Sequence, residues 1–287
     1  MTIHWYPGHM HKARKEMVKV LPRVDAVIEI LDARIPFSSS NPVIKSLSMG
    51  KPVIKLLAKS DLADGETTDL WRRHFEHEKQ TQMLAVNLKS DMLSDRIVGL
   101  CHKLAPKKEG FTSLVMVAGI PNVGKSTLIN NLAGKQVART GDEPAVTKGQ
   151  QRINLRNGIM LLDTPGLLWP KVEHVPSSYR LATLGAIRDT AMSYEEVAVF
   201  AVRYLMDRYA QVLESRFRLS ELPATEQELL ETVGRQRGCL RAGGQVDMER
   251  VASIFINELR SGLLGDISLE TPAMIDNELA ELNQLDA

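Results

Sequence analysis

An α/β domain built on a mostly parallel sheet, followed by a small all-helical domain, is the architecture this sequence predicts. Three observations carry it. Short runs rich in β-branched residues alternate with helical patterns through about residue 175. A glycine-bearing turn, Gly119 to Ser126, stands between one such run and a helical pattern. Beyond that point strand runs stop, and capping signatures mark successive helices.

Composition sets the outer limits. The 287 residues suffice for two ordinary domains with buried cores and no disulfide staples. With 44% hydrophobic and 25% charged residues, a largely disordered chain is excluded. No apolar run approaches the ~18 residues of a membrane span, and the N-terminus lacks an apolar leader core. Cys101 and Cys239 form no C-x-x-C pair, which fits a reducing cytoplasm. The net charge of +1 conceals an asymmetry. Six of the 35 acidic residues lie from Leu263 onward without one Lys or Arg, leaving residues 1–262 at +7 (36 basic, 29 acidic). The acidic tail reads as a solvated end; the other reading is a competitor for a basic surface.

The elements follow in order. Residues 10–22 set Lys12, Arg14, Lys15 and Lys19 among Met10, Ala13, Met17 and Leu21, a basic amphipathic helix that Pro22 ends. Strands are expected at Val24–Leu31 and Pro52–Leu57, with a loop from Pro36 to Pro42 between them. A helix over Asp64–Gln80, a strand at Met83–Val86, a helix over Asp91–Leu104 and a polar connection at 106–110 come next. Leu114–Ala118 is a buried strand, and Lys125–Leu132 a helix stopped near Gly134. Gln151–Leu155 and Ile159–Leu162 flank Asn157-Gly158, a hairpin signal. Ser193 to Glu196 opens a helix running to about Phe217, Thr225 to Glu228 opens another, and a third spans Asp247–Arg260 before Gly262.

Gly119-Ile120-Pro121-Asn122-Val123-Gly124-Lys125-Ser126 matches G-x-x-x-x-G-K-[ST], with a strand before it and a helix after it. Such a turn aims backbone N–H groups at phosphate oxygens, and the helix N-terminus adds its dipole. Asn122, Val123, Gly124, Lys125, Ser126 and Thr127 would line the phosphates. Lys125 would reach the β- and γ-phosphates, and the Ser126 hydroxyl would bind Mg²⁺. Asp163-Thr164-Pro165-Gly166 lies 38 residues past Lys125, at the end of a strand. Its carboxylate suits Mg²⁺ through water, and the Gly166 N–H a γ-phosphate. Between them, Glu143 to Thr147 is a polar loop in which Thr147 is a further candidate Mg²⁺ ligand, or a plain loop threonine.

Guanine is commonly read by N/T-K-x-D, whose Asp takes the N1 and N2 hydrogens. No such element follows Asp163. One precedes the phosphate turn, Ala58-Lys59-Ser60-Asp61, with a base loop expected near Asn87 and Leu88. The motif order is circularly permuted.

These motifs, with Trp5 to Met10, Asp32-Ala33-Arg34-Ile35-Pro36, Ser39 to Pro42 and Trp169-Pro170-Lys171, resemble the RbgA/YlqF family of circularly permuted GTPases over nearly the whole length. The resemblance implies a permuted GTPase domain over 1–175 and a helical, RNA-binding domain over 176–287. It implies GTP and GDP as ligands and the large ribosomal subunit and its rRNA as partners, with no membrane and no DNA. The expected activity is GTP hydrolysis stimulated by that particle, followed by release. One position departs from the family: Ala58 stands where Asn is usual. Losing one net hydrogen bond is worth about 0.5–1.5 kcal/mol, so weaker GTP affinity with guanine preference retained is expected.

Leu167 and Leu168 occupy the place where small GTPases commonly carry a water-orienting Gln. Slow intrinsic hydrolysis is expected. The family resemblance maps a proposed catalytic His onto His9, the alternative being an RNA contact or a turn cap. Related GTPases with an apolar residue at the Gln place use K⁺, held partly by an Asn that corresponds to Asn122; the alternative is a loop Asn satisfying backbone. His74 and His77 read as a solvated helix face rather than a metal site. Arg203, Arg208, Arg216, Arg218, Arg235, Arg237 and Arg241 read equally as rRNA contacts or surface charge, and the resemblance favours rRNA. Two other functions remain: a P-loop ATPase or kinase, and an RNA-binding module whose nucleotide site is too weak for catalysis.

Overall fold

A computed structural model describes residues 3, 5–48, 50–78, 81–88, 93–106, 110–138, 150–155 and 157–285. Helix α1 (Gly8–Val20) turns Met10, Ala13 and Met17 inward and its charged residues outward. Strand β1 (Ala26–Asp32) follows, then two short helices, α2 (Pro36–Ser39) and α3 (Pro42–Leu47). Strand β2 (Val53–Ala58), helix α4 (Gly65–Glu76), strand β3 (Thr81–Val86), helix α5 (Leu93–Leu104), strand β4 (Ser113–Gly119) and helix α6 (Lys125–Ala133) alternate. Strands β5 (Gln151–Asn154) and β6 (Ile159–Asp163) complete the sheet. The helical part comprises α7 (Val175–Thr183), α8 (Tyr194–Arg208), α9 (Ala210–Phe217), α10 (Glu226–Gln236), α11 (Met248–Arg260) and α12 (Pro272–Leu285).

The six strands lie in the order β3-β2-β1-β4-β6-β5, all parallel except β5, which pairs antiparallel with β6 across the Asn157-Gly158 turn. Gly158 takes φ +80°, as that turn requires. Every residue of β1 is buried, as expected for a parallel strand covered on both faces. On one face Ile28, Ile30, Ile54 and Leu56 join the main core. On the other, Leu31 and Leu57 meet Trp71 and Phe75 of α4 and Ile275 of α12. Helix α4 starts where the Asp64 carboxylate accepts from the Thr67 N–H at 2.6 Å, and its i, i+4 pair Trp71 and Phe75 stack inward.

Three expectations are corrected. The segment from Pro36 to Pro42 is not simply a loop. Proline stands at the start of both α2 and α3, and the Asn41 side chain caps α3 at Val43 N. The helix expected from Ser193 to Phe217 is broken at Tyr209, at φ −133° and ψ 36°. The Tyr209 hydroxyl donates to Ser268 O and accepts from Ser268 N, both at 3.1 Å, so a tertiary contact interrupts a periodic sequence. The acidic tail is solvated only in part: Asp266, Asp276 and Glu281 are exposed, but the segment is packed into the fold. Glu270 is fully buried, and α12 packs back against α4 and β1. The Ser193 capping box is half formed: its hydroxyl accepts from Glu196 N, while the Glu196 carboxylate accepts from Tyr179. The Thr225 box is complete. Among the described residues, no helix is long and apolar enough to cross a membrane.

Candidate functional site

The sequence motifs meet at one edge of the sheet because each follows the C-terminal end of a parallel strand. Asp32 ends β1, Lys59 to Asp61 follow β2, Asn87 and Leu88 follow β3, Gly119 ends β4 and Asp163 ends β6. Strands β2 and β6 flank the central pair β1 and β4, the point where a doubly wound sheet opens a crevice for a ligand.

The phosphate turn is held tight. A Cβ on Gly119 would stand 2.6 Å from Ile30 O, so only glycine permits this approach to β1. Asn122 adopts φ +57° and Gly124 φ +107°, conformations that turn N–H groups inward before α6 begins. Lys125 is buried, donating to Gly119 O at 3.2 Å and Ile120 O at 2.6 Å. Burial drives its pKa down to about 8, against the attraction of Asp163 and with the repulsion of Lys59.

Asp163 is 1% exposed, and its Oδ1 has no hydrogen-bond partner among the described residues. Burial lifts its pKa to about 6, opposed by the Lys125 charge and the Thr164 amide. An orphaned carboxylate oxygen costs free energy unless something occupies it. The half-buried Ser126 opens α6, which packs against β6, and a hydroxyl with a carboxylate is an all-oxygen donor set that would suit Mg²⁺, with water and phosphate as further ligands. Among the described residues, no cluster of three His, Cys, Asp or Glu could hold a metal by itself. Gly166 lies against the turn. A Cβ there would meet Pro121 Cα at 2.8 Å and Lys125 Nζ at 3.2 Å. Leu167 and Leu168 point into the core.

The base side is assembled by ion pairs that sequence reasoning missed. Lys59 sits at φ +58°, and its ammonium contacts Asp32 Oδ2 at 2.9 Å. The same carboxylate takes Arg34 Nε at 2.9 Å and Nη2 at 3.0 Å. Burial alone would raise the Asp32 pKa, but Arg34 and Lys59 outweigh it and hold the carboxyl well below the ordinary range. Arg34, itself 1% exposed, extends to Leu259 O and Arg260 O at the end of α11, where a cation suits the helix dipole. The Asp32 to Pro36 motif was recognisable in sequence, but its partners lie 27 residues away at Lys59 and more than 220 away in α11.

Ala58 is buried, ends β2 and accepts Ala33 N–H at 2.8 Å. The base loop is braced by other residues. Leu88 reaches over Gly124, where a Cβ would stand 2.5 Å from Leu88 Cδ1. The Asn131 amide of α6 donates to Leu88 O. Asp61 is exposed at the crevice, and Ser60 and Asn87 are half-buried.

Asn122 Nδ2 donates to Gly185 O at 2.8 Å, tying the phosphate turn to the segment after α7. Three residues on, Arg188 lies over the Trp5 ring at 5.9 Å, and Trp5 packs edge-on against His9 at 6.3 Å. Burial and the Arg188 charge both lower the His9 pKa, so its imidazole is neutral near pH 7. His9 itself is exposed and makes no hydrogen bond to the phosphate turn among the described residues. Thr147 and its loop lie outside the described residues. His74, expected on a solvated face, is exposed and packs its ring against Trp71 and Phe75.

Comparison with known proteins places this geometry. A family profile described as 50S ribosome-binding GTPase matches residues 114–233, the stretch that begins at β4. Ribosome biogenesis GTPase A of Bacillus cereus is 40% identical over 297 aligned positions, covering 100% of this chain and 99% of that protein. The protein of the same name from Priestia megaterium is 42% identical, covering 97% and 100%. The chain belongs to the ribosome biogenesis GTPase A family. Among solved structures, GNP-bound YlqF from Thermotoga maritima covers 91% of this GTPase, with TM-score 0.64 and 28% identity. The family accounts for the permuted order, in which the base element on β2 precedes the phosphate turn on β4.

Proposed function

We propose that this GTPase is an assembly factor for the large ribosomal subunit, working in the cytoplasm and released when GTP is hydrolysed on that particle. The supporting observation is the convergence of Lys59 to Asp61, Lys125, Asp163 and Gly166 on one sheet edge, in a chain 40% identical to ribosome biogenesis GTPases.

In this reading Asp61 takes the guanine N1 and N2 hydrogens and Lys59, steadied by Asp32, lies over the ring. Asn87 and Leu88 offer backbone to the base. Val123 to Thr127 offer backbone N–H groups to the phosphates, and Lys125 neutralises the β- and γ-oxygens. Bound Mg²⁺, held by Ser126 and Asp163 and joined by Thr147 in the triphosphate state, would spread charge over those oxygens. The Gly166 N–H meets the γ-phosphate, where Leu167 leaves no side chain to orient water. Water adds to the γ-phosphorus as the bond to the GDP oxygen breaks, and neutral His9 accepts the water proton. For that step α1 must bring His9 over the nucleotide, and its tie through Trp5 and Arg188 to the segment bonded to Asn122 gives it a short route. Asn122, whose Nδ2 donates to Gly185 O, is the residue that would hold a monovalent cation such as K⁺, which would neutralise charge between the phosphates.

Docking uses charge. Lys12, Arg14, Lys15 and Lys19 are exposed on α1 and form no salt bridge among the described residues. By contrast Arg203, Arg216, Arg235, Arg237 and Arg241 are each paired with a carboxylate of their own region. The rRNA contact is therefore assigned first to α1. Arg216 and Arg237 share the buried Glu258 and stay with it, while the exposed pairs of Arg203, Arg235 and Arg241 are worth little, so those arginines can exchange carboxylate for phosphate as a second contact.

The test is turnover of GTP and ATP in K⁺ and in Na⁺ buffer, with and without large subunits. GTP-selective turnover that rises with subunits is expected, with K⁺ above Na⁺. Turnover indifferent to the subunits, or equal for ATP, would remove the assembly-factor reading.

A further inference from the structure

Asn41 is fully buried between α2 and α3. Its Nδ2 donates to Leu167 O at 2.7 Å, 126 residues away in sequence. Its Oδ1 accepts from Val43 N at 2.9 Å as the cap of α3. Its own N–H meets Glu29 Oε1 at 3.3 Å. Glu29 is buried in β1 beside Lys55 of β2, so Asn41 stands on a rigid base in the middle of the sheet. Leu167 is held from the other side as well, its N–H donating to Gly119 O at 3.2 Å. Leu167 is therefore gripped at both its backbone polar groups, which belong to the two successive peptide units after Gly166. One grip comes from the first residue of the phosphate turn and the other from Asn41.

We propose that Asn41 is a positioning residue for GTP hydrolysis: it fixes the Leu167 carbonyl so that the Gly166 N–H is aimed where the γ-phosphate stands. This rests on the role given to Gly166 above. The physical argument is one of preorganisation. A donor aimed at developing charge helps most when it need not be reoriented, and a glycine peptide is the least constrained backbone in the chain. Gly166 cannot be stiffened by a side chain, because a Cβ there would collide with Pro121. Its neighbour is stiffened instead, and Asn is suited to this because one amide group supplies both a donor for Leu167 and an acceptor for Val43. Among the described residues, Asn41 itself bonds Glu29, Val43 and Leu167 and no residue of the base loop or phosphate turn, so the effect should be largest in the triphosphate state.

Asn41→Ser separates the two duties. A serine hydroxyl caps a helix as well as Asn does, but it is too short to reach Leu167 O. Affinities for GDP and for a non-hydrolysable GTP analogue, the single-turnover GTP rate, and hydrogen exchange at the Leu167 amide would be measured on the full chain. Asn41→Ser is expected to leave GDP affinity within about twofold. Analogue affinity and the single-turnover rate are expected to fall roughly fivefold to tenfold, the weight of one net hydrogen bond. The Leu167 amide would exchange faster in the nucleotide-free protein. Equal loss for GDP and analogue would show a general structural role and overturn the proposal, as would unchanged analogue affinity and rate. Unchanged exchange at Leu167 would overturn it independently of any nucleotide. If wild-type protein did not turn over GTP or distinguish the analogue from GDP, the Gly166 role would fail, and the exchange readout would still decide whether Asn41 holds the loop.

Discussion

Lys125 and Asp163 face each other across the phosphate site with pKa values displaced toward one another, to about 8 and about 6. Burial penalises the charge on both, and their mutual attraction recovers only part of it. The signs make a pH prediction. Below about 6 Asp163 is protonated and loses its hold on Mg²⁺; above about 8 Lys125 is neutral and loses its hold on phosphate. Nucleotide affinity in Mg²⁺ is expected to rise through about pH 6 and fall beyond about pH 8, as checked by fluorescence titration across that range. Stability of the nucleotide-free protein runs differently. Asp163, raised from 3.8, lowers stability as pH climbs from there to about 6. Lys125, depressed from 10.5, raises stability as pH climbs from about 8 toward that value, because the buried ammonium discharges. Opposite slopes for affinity and stability in both ranges are the signature of a site that is strained until nucleotide binds.

At the scale of elements, the segment from Ile267 to Glu270 straps the two halves together. Ile267 N donates to Leu62 O at 3.0 Å and Leu269 N to Arg34 O at 2.8 Å, spanning the loops after β2 and β1. Glu270 then enters the N-terminus of α2. Its Oε1 accepts Phe37 N at 2.5 Å and Ser38 N at 3.0 Å, and its Oε2 accepts the Ser38 hydroxyl. Arg180 of α7 lies 3.7 Å from the same carboxylate and pairs with Glu278 of α12 at 2.6 Å. Burial holds the Glu270 pKa above the ordinary carboxylate value, and Arg180 with the three α2 donors offsets only part of that desolvation. Glu270→Ala strands the Phe37 and Ser38 amides, leaves the Ser38 hydroxyl with Ser177, and leaves Glu278 as the carboxylate partner of Arg180. A loss of about 3 kcal/mol is expected, read as a lower urea midpoint. A change below about 0.5 kcal/mol would show that the strap contributes nothing net. Because the strap crosses beside Leu62, next to Asp61, guanine affinity should weaken in the same variant.

For the whole molecule, charge is distributed by function. Two acids of the C-terminal segment are taken up inside the fold, Glu270 by the α2 N-terminus and Arg180, and Glu278 by Arg180 and by His174, whose Nε2 lies 3.1 Å from Glu278 Oε2. Asp266, Asp276 and Glu281 stay exposed, and α1 keeps its positive face. Arg34 and Arg260 carry the connection onward. Arg34 holds the end of α11, while the Arg260 side chain donates to Ala182 O and Thr183 O at the end of α7. Gly185, just beyond, accepts from Asn122 of the phosphate turn. Lys59, Asp32, the helical part and the phosphate turn are thus linked by contiguous polar contacts. On the surface itself, Lys12→Ala with Lys15→Ala is expected to weaken binding to large subunits and reduce the salt slope by roughly 1 to 2. Arg203→Ala with Arg241→Ala, whose residues start paired, should cost less. Co-sedimentation at several salt concentrations compares the two, and a larger loss for the arginine pair would move the contact to the helical part.

Local pattern was enough for all six strands, the phosphate turn, the permuted order and the Asn157-Gly158 hairpin. These depend on short-range periodicity and on glycines whose backbone demands are local. It was not enough for Tyr209, where a periodic helix is broken by a hydroxyl bonded to Ser268, nor for the acidic tail, whose composition resembles a solvated end. It showed that Ala58 lacks an amide but not that Leu88 and Asn131 brace the base loop instead. It flagged Asp32, Arg34 and Asn41 as parts of motifs without their work, since Lys59, α11 and Leu167 reach them only after folding. Backbone preference and hydrophobic period are written in neighbouring residues; polar partnership between distant segments has no period, and it exists only once burial has made each unsatisfied donor or carboxylate too costly to leave alone.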